Sequence, residues 1–414
     1  MLKSNSMKGN LHRRHLGIAI GYFAIAAVLG LLLRFFPIFS FGFNYRYMVH
    51  AHSHIALLGW VYVALTTLLH YCFVDKTTSN ERYKYIFWGT QGTLIGMLLT
   101  FPFQGYALLS ILFSTLFLIV SYVYTYHFWK NVDSKYKKRG SLQCVKAALV
   151  YMVISSLGPW ALGAIMSTLG AQSIWYRLAI YFYLHFQYNG WMVLALIGLL
   201  LFVLEQRDLI LPKKSFVRFF QAINIGIVLS FFLSTLWTEP SATFYFLGGS
   251  GAVAQLYALL YLWTLAKGKI IQLHLSKLQN VLLRTVVILT GLKMLLQLLT
   301  ALPYFAQMAA TCLDFTIGYL HLTFLGVISF GLFFFMDYFG LFRMSRKSYL
   351  FYFLGFLLTE CLIFYKGIAA WQEWGVFSGY MSLLAICSLL ILFGVLILLI
   401  QNLSKNQELH DRTL

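Results

Sequence analysis

Acidic side chains are scarce in this sequence: 12 Asp and Glu stand against 31 Lys and Arg in 414 residues, and charged residues make up only 10%. Soluble domains carry roughly 25% charged residues, so a water-soluble architecture is excluded over most of the length. Cysteine is sparse too. Cys72, Cys144, Cys312, Cys361 and Cys387 are scattered without CxxC spacing, which argues against a disulfide framework or a thiolate metal site. No P-loop, dinucleotide fingerprint, HExxH or nucleophile motif occurs, leaving soluble-type enzymology without support.

What the chain has is apolar length, with 60% hydrophobic residues and a mean hydropathy of +0.76. About 20 apolar residues cross the hydrocarbon core as a helix. Runs of that size recur near 16–38, 48–73, 84–103, 105–129, 146–168, 177–204, 217–237, 243–266, 281–303, 311–336, 349–367 and 376–401. The expectation is an all-α integral membrane protein of about twelve transmembrane helices, a single polytopic domain over 1–414. Pro159, with Gly158 and Gly163, marks the one suggested interruption.

The formal charge of +19 is distributed by topology. Lys and Arg fall at 3–14, 76–84, 130–146, 207–218, 267–284, 343–347 and 405–412, which are alternate loops and the two tails. Arg34, Arg46, Arg177 and Lys366 are the basic residues of the opposite loops. The cation-rich side reads as the cytoplasm, placing both termini inside and the chain in the plasma (inner) membrane. Arg13 and Arg14 before the first apolar run read as a retained anchor. Its partner is then the lipid bilayer, with loops such as Lys135–Arg139 held against anionic lipid, and nucleic acid is excluded.

Eleven histidines fall into two groups. His12, His15, His70, His127, His274 and His410 sit in basic loops or at inner helix ends and read as interfacial or solvated. His50, His52, His54, His185 and His321 lie in the outer halves of spans two, six and ten. His54, His185 and His321 are each followed five residues later by glycine: Gly59, Gly190 and Gly326. A feature returning every four spans predicts a pseudo-threefold arrangement of four-helix repeats, roughly 16–129, 146–266 and 281–401. Each key histidine lies about eight or nine residues inside its helix, roughly 12–14 Å below the surface.

An ionisable side chain in hydrocarbon marks a functional site by default. A buried imidazole needs a hydrogen-bond partner or a metal, and haem iron with its apolar macrocycle is one fitting answer. Histidines bonded between helices are the structural alternative. Positions 50 and 54 share a helix face while 52 points away, so either His54 or His52 is the candidate ligand on span two.

Twelve spans, cytoplasmic termini, fourfold-spaced helices and outer histidines on spans two, six and ten resemble subunit I of the haem–copper oxidases and nitric oxide reductases. The resemblance implies one b-type haem with His54 (or His52) and His321 as axial ligands, and copper or another second metal at His185. Two departures bear on activity. Span seven, Ser215–Trp237, carries no histidine pair, and span ten reads His321-Leu322-Thr323 where the family has His-x-His. Oxygen or nitric oxide reduction by the family mechanism is therefore not expected. The stripped pattern is also similar to the NnrS-type membrane proteins, which are haem-binding and linked to nitric oxide stress. The implied role is electron transfer, haem handling or nitric oxide response, with a redox partner or small gas as ligand.

Arg46 and Arg177 open spans two and six and, with Arg34, suit either haem propionates or lipid phosphates. Lys293 and Glu360 lie near mid-membrane, where an ion pair with Gln297 nearby and a proton path are both open readings. The alternative function is a proton-coupled transporter on a repeat scaffold.

Overall fold

The computed structural model describes residues 2–39, 41–74 and 80–411, with side chains for 10–39, 41–74 and 80–403. The side chains of Lys3, Lys8, Lys76, Lys405, His410 and Arg412, part of the charge pattern above, lie outside that description. The described chain is all-α, apart from an isolated antiparallel bridge between Val74 and Val132.

Twelve long helices follow one another: α1 (Leu2–Phe35), α2 (Tyr45–Phe73), α3 (Asn80–Gln104), α4 (Leu108–Asn131), α5 (Gly140–Thr168), α6 (Ile174–Glu205), α7 (Lys213–Thr238), α8 (Ala242–Ile271), α9 (Lys277–Leu299), α10 (Leu313–Tyr338), α11 (Arg346–Trp371) and α12 (Tyr380–Asp411). Eleven are long and apolar enough to cross a membrane, as a multi-pass membrane protein requires. The twelfth, α3, is long enough at 25 residues but buries Thr90, Gln91 and Thr93, which lowers its hydropathy.

Local chemistry explains the ends. Asn44 caps α2, its Oδ1 accepting from the backbone of Arg46 at 2.9 Å and Tyr47 at 3.3 Å. Ser276 and Gln279 make a reciprocal capping box at the start of α9. Gly105 ends α3 with φ of +59°, a conformation that suits glycine. The interruption expected around Pro159 is present: α5 breaks at Ser156, and Pro159 sits in the first turn of its second piece, where a missing N–H does little harm.

By packing, the chain forms two compact units. Unit 1 gathers Met1–Asp133, Leu332–Ala369 and Glu373–Leu414; unit 2 gathers Ser134–Gly331 with Ala370–Gln372. In unit 1, α1 packs on α2 and α12, and α3 on α4. Unit 2 is built on α5 against α6 and α7 against α8.

Small residues set the tightest approach. A Cβ on Gly226 of α7 would fall 2.7 Å from the Gln255 backbone nitrogen of α8. Gln255 Nε2 meanwhile donates to Gly226 O at 3.0 Å. Gly226→Leu must therefore part the two helices, and about 2–3 kcal/mol of destabilisation is expected. A thermal scan in detergent that matched wild type would contradict this packing.

Burial separates the helices into two classes. The apolar windows of α2, α6 and α10 are 83%, 94% and 72% buried, against 28–44% for the other eight. Large apolar side chains crowd the exposed faces of the latter, among them Leu108, Phe246, Ile288 and Ile400, as lipid contact would demand. The three most buried helices are those carrying the His-x4-Gly pattern.

Candidate functional site

Each of these three helices changes character at its histidine. The backbone is α-helical up to His54, His185 and His321. Immediately afterwards it widens into π-helix over Ile55–Tyr62, Phe186–Met192 and Leu322–Ile328. Such segments are rare and concentrate at functional sites, because the i→i+5 turn re-aims side chains. The motif glycine is the fifth residue of each segment.

Glycine there admits a neighbouring ring. A Cβ on Gly59 would lie 2.8 Å from the Tyr22 ring of α1, and one on Gly190 would lie 2.6 Å from the Tyr151 ring of α5. A second shared position emerges two residues before the motif histidine: His52, Tyr183 and Tyr319. A Cβ on Gly30 of α1 would lie 2.9 Å from His52, and one on Gly158 of α5 would lie 2.9 Å from Tyr183. The His52 ring is thus a peg lodged against α1, whereas at Gly158 the helices meet through the Ala179 carbonyl and the Tyr183 Cβ. The signal is present in the sequence as aromatic-x-His-x4-Gly.

In unit 1, His52 Nδ1 donates to Ala26 O at 2.9 Å, and His54 Nδ1 donates to His50 O at 2.8 Å. Both rings therefore keep Nε2 as the lone-pair nitrogen. His54 stacks on Phe101 with centroids 4.2 Å apart, its Nε2 3.5 Å from the Tyr106 hydroxyl. Arg46 stands exposed in the first turn of α2.

In unit 2, His185 is held at both nitrogens. Nε2 donates to Ile227 O at 2.9 Å, so Nδ1 is an acceptor, facing Asn189 Nδ2 at 3.3 Å and Ser234 Oγ at 3.5 Å. Asn189 passes the network on, its Oδ1 accepting from Lys293 Nζ at 2.6 Å. Lys293, fully buried, also donates to Gln297 Oε1 at 2.9 Å, and Tyr319 OH donates to the same oxygen at 3.1 Å. The ammonium lies over the rings of Tyr188 and Tyr319 at 5.3 and 5.4 Å. His321 ends the α-helical part of α10 in a half-buried position.

Several expectations are corrected. Within unit 2 Lys293 is bonded to the amides of Asn189 and Gln297, and within unit 1 both oxygens of buried Glu360 lack a hydrogen bond. Arg177 is engaged by protein: it donates to Tyr181 OH at 2.9 and 3.1 Å and lies 4.4 Å over the Trp237 ring. His12, His15, His70 and His127 are not solvated; all four are buried. Hydropathy counts imidazole as polar wherever it stands, whereas neighbouring aromatic rings enclose these.

His54 belongs to unit 1 and His321 to unit 2. Among the described residues, no group of three or more His, Cys, Asp or Glu is arranged to hold a metal ion. No known family model matches the chain, and no curated protein sequence resembles it significantly.

Proposed function

We propose that this chain is a b-type haem-binding protein of the inner membrane, built on a scaffold like that of haem–copper oxidase subunit I. His54 and His321 would be the axial ligands. The observation that carries this reading is the coincidence on α2, α6 and α10. The three most buried helices each turn from α to π immediately after the motif histidine. Such a coincidence also favours three four-helix repeats.

The donor chemistry of His54 fits haem. A metal-binding imidazole commonly gives its other N–H to a carbonyl, which fixes tautomer and orientation, and His54 Nδ1 does so to His50 O. His185 does not fit as a metal ligand, since protein groups occupy both its nitrogens, and a second metal there is not part of the proposal. Bound haem would supply one-electron chemistry and affinity for small gases. With no histidine on α7, the role would be electron transfer or a response to nitric oxide or haem, with the cation-rich face toward the cytoplasm. A second reading, proton-coupled transport, is favoured by the buried network around Lys293, since intramembrane ionisable groups also serve as relays.

Absorption spectra of detergent-purified protein, oxidised and dithionite-reduced after expression with ample haem, separate the two. Sharp reduced-state bands lost in His54→Ala and in His321→Ala are expected. A colourless wild type would sink the haem reading.

A further inference from the structure

Four buried histidines meet at the end of unit 1 that carries the chain's N-terminal helix. His12 and His15 come from α1, His70 from α2 and His127 from α4, with exposures of 0%, 3%, 0% and 5%. His12 Nε2 and His70 Nδ1 share a hydrogen bond of 2.9 Å. The His70 ring stacks on Tyr83 of α3 at 3.7 Å and runs parallel to His127 at 5.9 Å. His15 lies flat on Phe87 at 3.4 Å. Haem at His54 has no use for this cluster, so it stands apart from the function proposed above.

Packing alone does not account for it. Phenylalanine would fill the same stacks without burying polar nitrogens, each of which is costly when unsatisfied. His15 Nδ1 and His127 Nε2 are buried with no hydrogen-bond partner. The polar line continues into the bundle. Tyr83 OH donates to Thr67 Oγ1 at 3.2 Å, and Tyr124 OH donates to Thr66 O at 2.8 Å. Between them is a void of about 10 Å³ lined by Thr66, Tyr83, Thr90 and Tyr124, about the size that admits one water. Charged groups that act on the cluster include Lys84 on His15 and Arg82 on His127.

We propose that His12 and His70, walled in by the buried rings of His15 and His127, form an imidazole relay that passes protons between α1 and α2 at this end of unit 1. Imidazole takes a proton on one ring nitrogen and releases one from the other. A proton bound at His12 Nδ1 lets Nε2–H pass to His70 Nδ1, which leaves the added charge on His70; the return transfer resets the pair. No bond between heavy atoms changes and no redox step is involved.

The test is water-edited solid-state NMR on full-length protein in liposomes, labelled with 15N-histidine. Ring N–H groups of His12 and His70 are expected to exchange with bulk-water protons far faster than backbone amides of α2. His12→Phe, which keeps the ring stack, is expected to slow exchange at His70 about tenfold or more. Wild-type ring protons as protected as the core amides would overturn the relay without recourse to any variant. Unchanged exchange at His70 in a folded His12→Phe protein would overturn it as well. Should His12→Phe fail to fold, the wild-type exchange rates alone decide the matter.

Discussion

Asn189→Leu is expected to destabilise the protein by about 3–5 kcal/mol, the cost typical of removing one partner from a buried charged group. Asn189 stands in the π segment of α6 and joins two polar groups that have few alternatives. Its carbonyl accepts from Lys293 at 2.6 Å, and its amide donates to His185 at 3.3 Å. Leucine is close in volume, so the loss reports polar satisfaction and not a cavity. Gln297 alone would remain as a hydrogen-bonded acceptor for an ammonium with no solvent access. The double variant Asn189→Leu/Lys293→Met is expected to regain most of the loss, because exchanging a whole buried polar pair for apolar residues is often near neutral. Apparent melting temperatures of the three variants and wild type in one detergent provide the check. Additive losses in the double variant would mean that the two side chains act independently and that the contact carries no energy.

That network shows how far sequence reaches. Apolar runs located all twelve long helices, because length and hydropathy are local properties. The break before Pro159 was legible for the same reason. His-x4-Gly singled out the three helices that prove most buried, although burial itself is tertiary. The π segments were hidden in plain runs: Ile-Ala-Leu-Leu-Gly-Trp-Val-Tyr reads equally well as α-helix. Yet a spacing of five is the one that i→i+5 hydrogen bonding links, so the motif contains a backbone signal. Lys293 was recognised as needing a partner, but sequence offered no means to choose Asn189, 104 positions away, over Glu360. The inner histidines failed for a related reason. His12, His70 and His127 sit near helix ends, where solvent is the default, and only the packing of α3 across them closes the site.

His54→Ala is expected to remove the haem bands entirely, whereas His52→Ala should retain them with lowered thermal stability. The two rings look alike as donors, each giving Nδ1–H to a carbonyl. They differ in what holds them. His52 reaches across to Ala26 O on α1 and lodges against Gly30. The same place on α6 is held by Tyr183, whose Cβ and backbone nitrogen lie against Gly158, so this position packs helix on helix in a unit where the side chain is not an imidazole. His54 bonds within its own helix, and its Nε2 meets only the long 3.5 Å contact to Tyr106 among its hydrogen bonds, weak by ordinary criteria and readily given up to iron. His54 also holds the position repeated by His185 and His321 at the α-to-π junction. Gly30→Val sharpens the distinction, because it displaces the His52 ring without touching His54. Bands that survive Gly30→Val and His52→Ala but vanish in His54→Ala assign the ligand to His54. Bands lost in Gly30→Val and His52→Ala but kept in His54→Ala would move the iron to the other face of α2 and make the peg itself the ligand.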